Sequence, residues 1–319
     1  MIISQPPIRP KNKHLQSILA SSKIRLLRLR KSNPVIENEE QQSLTSPLAT
    51  LQGFYTQNPT ESETMVILLH GWEGSAKSTY IQLLANSLYL EGLNIYRLNL
   101  RDHGDSHHMN EALFHSCRIE EVMLAVQDIQ KQFPNKNFIL CGFSLGGNFA
   151  LRIASRAQDA GLSFKHVFAI SPPLVPKNSM NAIHDSKLYN TYFLKKWKRS
   201  LHIKNKLFPH LFSNTKWQKE ENLEHLTHML IVEHTEYSTT DDYFNGYSIT
   251  PDTISSINCP TDVITSWDDP VIPFKDFSTI DRMPQIKLIT TAHGGHCGFV
   301  QGWSMRSWVE DHIIETCMT

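Results

Sequence analysis

The sequence predicts an α/β protein: a mainly parallel β-sheet covered by helices on both faces, with one helical insertion. Three observations carry this. From residue 50 onward short apolar runs recur, helical periodicity fills the gaps between them, and one long interval breaks the alternation. A strand that is apolar throughout is buried on both faces, and such strands alternating with amphipathic helices build βαβ units.

The first fifty residues differ from the rest. Pro6, Pro7 and Pro10 predict an irregular arm. Ser22–Ser32 is basic, with Lys23, Arg25, Arg28, Arg30 and Lys31 around Ile24, Leu26, Leu27 and Leu29. It reads as an edge strand or short helix with a solvated charged face, or else as a patch that touches anionic lipid. Ile36–Ser46 is polar and reads as a loop. Residues 1–50 are therefore expected to form an arm packing on a domain of residues 51–319.

Within that domain Met65–Leu69, Leu93–Leu100, Phe138–Cys141, Val167–Ile170, Asp262–Thr265 and Ile286–Thr290 read as strands. Ile119, Val122, Val126 and Ile129 share one helical face, and Pro134 ends that helix. The alternation stops at about 174–258, a stretch rich in aromatics such as Tyr189, Phe193, Trp197 and Trp217. This is expected to be a mostly helical, cap-like insertion. Its aromatics form its own core or face an apolar substrate pocket.

Composition removes several classes. The 319 residues balance 31 basic against 31 acidic side chains, which is unlike a strongly basic nucleic-acid binder. A hydrophobic content of 40% is too high for a disordered chain. No apolar run approaches the ~20 residues that span a bilayer, and Met1–Pro10 lacks the apolar core of a secretory signal. Five scattered cysteines without a C-x-x-C pair suit reduced thiols. The expectation is a cytoplasmic protein with no nucleic-acid partner and no transmembrane segment, for which peripheral membrane contact stays open.

The strongest chemical signal is Gly142-Phe-Ser144-Leu-Gly146-Gly147, placed after an apolar strand and before a helix expected over Asn148–Ala157. That is the strand–turn–helix setting of a G-x-S-x-G nucleophile elbow. Small residues two before and two after the serine allow a sharp turn that lifts its hydroxyl above the sheet edge. The N–H of Leu145, at the helix start, then faces a developing oxyanion. A second donor is expected from the loop after an earlier strand, where Leu69-His70-Gly71-Trp72-Glu73-Gly74 offers the N–H of Trp72.

A serine needs a base, and the base an orienting acid. Asp268-Asp269-Pro270 follows one predicted strand, and His293-Gly-Gly-His296 follows the next. Loops at the same end of neighbouring parallel strands converge on an elbow there. The residues alone leave both the acid and the histidine open. A metal reading of Asp102, His103, Asp105, His107, His108 and His115 is disfavoured, because they lack the i, i+4 helical spacing of a zinc hydrolase. No metal and no organic cofactor is expected.

Taken together, His70-Gly-Trp-Glu-Gly-Ser75, Asn99-Leu-Arg101-Asp-His-Gly104, Gly142-Phe-Ser-Leu-Gly-Gly-Asn148, Asp268-Asp-Pro270 and His293-Gly-Gly-His296-Cys-Gly-Phe299 resemble the YheT-like branch of the α/β-hydrolase superfamily. Lys13-His14-Leu15-Gln16-Ser17-Ile18 is similar to the short His-Leu-Gln-Thr motif near the start of those proteins. The resemblance covers nearly the whole chain. It implies the α/β-hydrolase fold and a serine hydrolase of the carboxylesterase and lipase type, without metal or cofactor. It favours Asp269 as the acid, with Asp268 as runner-up, and His296 over His293. Two positions depart from the family: Trp72 stands where leucine is usual, and Asp-His-Gly follows Arg101 where Gly-Cys-Ser-Gly is commoner.

The expected chemistry is hydrolysis of a small-molecule carboxylic ester with an apolar acyl chain, by Ser144, His296 and Asp269 through an acyl-enzyme. Trp72 and Leu145 supply the oxyanion donors. The rival readings are an acyltransferase using the same residues and a non-catalytic binding protein on the same scaffold.

Overall fold

The computed structural model describes residues 1–29, 32–60, 62–212, 214–280 and 285–319. Nine strands form one sheet: β1 Ile2–Ser4, β2 Glu40–Thr45, β3 Thr50–Thr56, β4 Thr64–Leu69, β5 Asn94–Leu98, β6 Asn137–Phe143, β7 His166–Ile170, β8 Thr261–Ser266 and β9 Ile286–Thr291. Their order is β1-β9-β8-β7-β6-β4-β5-β3-β2. Within this sheet, among the described residues, only the pairings β2–β3 and β3–β5 are antiparallel. The fold is thus α/β, with a mostly parallel sheet and helices around it.

The apolar runs explain the parallel centre. In β4, Met65, Ile67 and Leu69 enter the core on one face, while Val66 and Leu68 enter the core on the other. Each fully buried side chain of this kind contributes about 1.5–3 kcal/mol, so both faces hold the strand in place. The amphipathic helix expected from residue 119 spans Ile119–Gln132 and buries Ile119, Val122, Val126 and Ile129.

Both edges of the sheet correct the sequence reading. The opening arm is not wholly irregular, because Ile2, Ile3 and Ser4 pair in parallel with Ile289, Thr290 and Thr291. Ile36–Ser46 is not a loop: it contains β2, which pairs in register with β3 from Glu40–Tyr55 to Thr45–Thr50. An edge strand with one solvated face need not be apolar, and of β2 only Leu44 is buried.

The basic stretch forms a 3₁₀ helix over Lys23–Leu29. Its charged face is not uniformly solvated. Arg25 is buried and pairs with Glu310 at 2.8 Å, and Arg28 joins the same carboxylate at 2.9 Å. Arg30 and Lys31 lie outside the described residues.

Between β7 and β8 the described chain is helical, with the longest helix at Lys187–Leu207 and others at Pro176–His184, Leu223–His234 and Thr240–Asn245. Its aromatics divide. Trp217 is buried, whereas Tyr189, Phe193 and Trp197 line cavities next to Ser144. Lys204, buried on the long helix, donates to Asp102 at 2.7 Å and to the carbonyls of His107 and Asn110. Among the described residues no helix is long and apolar enough to cross a membrane.

Candidate active site

Ser144 sits at the end of β6 with φ 52° and ψ −119°, and the helix Leu145–Arg156 begins at the next residue. That helix starts three residues earlier than the periodicity predicts. A non-glycine residue with φ above zero stores strain, held here by the surrounding packing. Ser144 N–H donates to the Ile170 carbonyl at 2.7 Å, which fixes the turn against β7. Glycine is required on both sides of it. A Cβ on Gly142 would collide with the Gly146 carbonyl, and one on Gly146 with the carbonyls of Leu69 and His70.

His296 lies on the loop after β9. Its Nε2 is 2.9 Å from Ser144 Oγ, and its Nδ1 is 2.9 Å from Asp269 Oδ2. Asp269 follows β8, and its other oxygen accepts from the N–H groups of Val271 and Ile272 at 2.8 and 2.9 Å. A carboxylate held this way stays fixed, and as the acceptor facing Nδ1 it selects the imidazole tautomer with the proton on that nitrogen. Burial by itself pushes the His296 imidazole down, but the Asp269 carboxylate together with the neighbouring Cys297 holds the group well above its ordinary 6.5.

The alternative residues go elsewhere. Asp268 accepts from Gly295 N–H at 2.9 Å and contacts His293 Nδ1 at 3.3 Å. Neither Asp268 nor His293 makes a hydrogen bond to Ser144 or His296.

The loop after β4 carries Trp72. Its N–H and that of Leu145 make no hydrogen bond among the described residues. Both residues line a cavity with Ser144. Two histidines hold this loop. His70 Nδ1 donates to the Gly71 carbonyl at 2.8 Å, and its Nε2 accepts from Leu100 N–H at 3.1 Å. His103 Nδ1 donates to the Arg101 carbonyl at 2.7 Å, and its Nε2 accepts from Glu73 N–H at 3.0 Å. Both rings must be neutral to accept. Burial pushes His70 down to about 4 and His103 well below 6.5. The sequence reading missed the tie from His103 to the Trp72 loop. The available signal was the departure after Arg101, since His103, which makes the contact, is one of the residues that differ there.

Four of the six residues considered for a metal have partners of their own. Asp102 pairs with Lys204, His103 holds the Trp72 loop, Asp105 faces Lys77 at 3.7 Å, and His107 Nε2 meets Ser200 Oγ at 2.7 Å. Among the described residues no group of three or more His, Cys, Asp or Glu side chains is placed to hold a metal ion.

The helix Lys13–Ser21, absent from the sequence-based element assignment, braces the His296 loop. Ser17 Oγ accepts from His296 N–H at 2.8 Å. Gln16 donates to the Val300 carbonyl at 3.1 Å and accepts from its N–H at 2.8 Å. A Cβ on Gly295, whose φ is 54°, would collide with the Lys13 carbonyl. His14 Nδ1 meets Tyr189 Oη at 3.0 Å, which links the same helix to Lys187–Leu207.

Two cavities meet at Ser144. One is a wide cleft of about 770 Å³, bordered by Ser17, Lys77, Tyr192, Lys196, Arg199 and His296 among others. The other, about 100 Å³, is apolar in character, with Met180, Ile183, Phe193, Trp197, Tyr247 and Ile272 on its walls. The Trp72 indole lines both cavities and stacks on Phe193 with centroids 5.4 Å apart.

The sheet, the elbow and the histidine hydrogen-bonded to its serine define an α/β hydrolase of the serine type. The comparisons with known proteins are more specific. Residues 60–297 match the family described as serine aminopeptidase S33, and the chain belongs to that family within the α/β-hydrolase superfamily. YheT of Escherichia coli strain K12 is 24% identical over 83% of this chain and 80% of its own length. A monoacylglycerol lipase of Saccharomyces cerevisiae is 21% identical over 80% of this chain and 59% of its own length. Among solved structures, the Pyrococcus furiosus esterase Pf2001 superposes with a TM-score of 0.59 at 16% identity, over 88% of this chain and 91% of that one.

Proposed function

We propose that Ser144, His296 and Asp269 form a catalytic triad that hydrolyses carboxylic esters with an apolar acyl chain. The protein is a carboxylic ester hydrolase, and the observation that supports this mechanism is the unbroken hydrogen-bond chain from Asp269 through His296 to Ser144. His296 takes the proton of Ser144 as its oxygen attacks the ester carbonyl. Asp269 holds the imidazole tautomer and stabilises the imidazolium that forms. The N–H groups of Trp72 and Leu145 face the tetrahedral oxyanion, where each such donor contributes about 3 kcal/mol. His296 then protonates the leaving alkoxide and activates the water that releases the acid from the acyl-enzyme.

In this reading residues 174–258 cap the site, and the apolar cavity beneath them receives the acyl chain. The wider cleft receives the alcohol portion. Residues 1–50 form an arm on residues 51–319 that braces the His296 loop. Five free thiols suit a reducing compartment such as the cytoplasm.

Turnover of a p-nitrophenyl ester series from acetyl to palmitoyl tests the reading. The expected result is serine-dependent hydrolysis with an optimum at short to medium chains, because the apolar cavity is small. Ser144→Ala is expected to lower kcat by roughly 10⁴–10⁶-fold. Retention of most activity by this variant overturns the mechanism.

A further inference from the structure

The cleft that holds Ser144 opens between two segments whose outer faces combine apolar and basic side chains. On the helix Lys13–Ser21 and the 3₁₀ helix after it, Leu15, Ile18, Ile24 and Leu27 are exposed. On the helix Lys187–Leu207, Leu188, Tyr192, Ile203 and Leu207 are exposed. Ile18 and Lys23 from the first segment and Leu188, Tyr192, Arg199 and Ile203 from the second border the same cleft. The two faces therefore flank one mouth.

The long helix carries its exposed residues in a stripe. Leu188, Tyr192, Lys195, Arg199, Ile203 and Lys206 recur at intervals of three and four, the spacing of one helical face. Its sequence contains no Asp or Glu. Among the described residues its ion pair is that of buried Lys204 with Asp102, and none of the described acids pairs with the charges on the stripe. Across the cleft the exposed Asp105 lies beside Lys77, which offsets its charge.

We propose that this rim docks the protein on an anionic lipid surface, with the mouth of the cleft facing the membrane. The proposal rests on the ester-hydrolase reading and adds where the substrate enters. Apolar side chains reach the acyl boundary while lysine and arginine meet anionic headgroups. An ester with an apolar acyl chain then passes into the cleft without crossing water. Charge argues against a second copy as the occupant, because a symmetric dimer through this face would set two acid-free basic helices against each other.

The test is vesicle flotation of the full-length chain. Phosphatidylcholine vesicles with phosphatidylglycerol are compared with phosphatidylcholine alone, at low and high salt. Flotation is expected with the anionic vesicles and is expected to fall with added salt. Two double variants lie outside the cleft walls: Lys195→Glu with Lys206→Glu, and Ile24→Asp with Leu207→Asp. Each is expected to reduce flotation, and hydrolysis of a vesicle-borne ester, by about tenfold or more. Turnover of p-nitrophenyl acetate is expected to stay unchanged, which also shows that the variants fold.

Absence of flotation overturns the proposal, as does flotation that the variants leave intact. A dimer in sedimentation that these substitutions dissociate also overturns it and gives the face to a second copy. Loss of the ester-hydrolase reading is distinguishable, because wild type would then fail on the soluble ester as well.

Discussion

Two aspartate–histidine pairs lie side by side beyond the ends of β8 and β9. They are built from adjacent acids and from histidines three residues apart, yet they differ in almost every physical respect. Asp269 and His296 are 2.9 Å apart with side chains 0% and 12% exposed, and the imidazole reaches Ser144. Asp268 and His293 are 3.3 Å apart with side chains 18% and 37% exposed, and Asp268 spends its second oxygen on Gly295 N–H. Burial separates them. Water screens the outer pair, whereas the inner pair interacts through a low-dielectric interior that strengthens each hydrogen bond. In the proposed mechanism the inner pair moves the proton, while the outer one holds the loop that carries His296.

Substitution of the acids is the strongest way to break this comparison. Asp269→Asn is expected to lower kcat by about 10⁴-fold, because the amide favours the wrong imidazole tautomer. Asp268→Asn keeps an acceptor for Gly295 N–H and is expected to cost less than about tenfold. Steady-state kinetics on one soluble ester measures both, and equal losses would erase the distinction.

A smaller effect is expected at the Trp72 loop. His103→Phe removes the acceptor for Glu73 N–H and is expected to lower kcat about 10–100-fold, since donors must be preorganised to stabilise an oxyanion. KM should change little, because the ground-state contacts remain. His103→Gln retains an acceptor and should recover part of the loss. A change confined to KM would show that the loop shapes the cleft rather than the oxyanion site.

The pH profile sharpens the comparison further. His296 must be neutral to act as a base, and Asp269 together with Cys297 raises its pKa above 6.5. The kcat/KM of the free enzyme is therefore expected to fall as pH drops through a value above 6.5, and to rise on the alkaline side of it. In Asp269→Asn the residual activity should show that limb at lower pH. In Asp268→Asn it should stay in place. His70, held at about 4, remains neutral across this range, so the loop it supports does not contribute to the limb.

The centre of the fold was legible because its strands are apolar on both faces and its helices keep a strict period. The runs at Met65–Leu69 and Phe138–Cys141 become β4 and β6 with small extensions. The edges were not legible in the same way. β2 reads Glu-Gln-Gln-Ser-Leu-Thr and owes its pairing to β3, while β1 owes its place to β9. Local composition carries no record of such long-range pairing.

The candidate site divides along similar lines. Ser144 and the elbow glycines could be read from local sterics, since the turn excludes a Cβ at Gly142 and Gly146. The choice between Asp268 and Asp269 rested on resemblance, because adjacent residues differ only in where the turn after β8 aims them. The brace from Ser17 to His296 spans 279 residues of sequence and depends on packing between Lys13 and Gly295. Its outward sign was a short motif near the start of the chain, with nothing local to say what that motif touches.

The central claim is that Ser144 is the nucleophile activated by His296. Its most direct test is labelling of the native protein with a serine-reactive fluorophosphonate, followed by peptide mapping. The account predicts a single adduct on Ser144, formed faster as pH rises through the His296 limb, and none in Ser144→Ala. An adduct on another serine, or no adduct on a folded protein that still turns over esters, would contradict it.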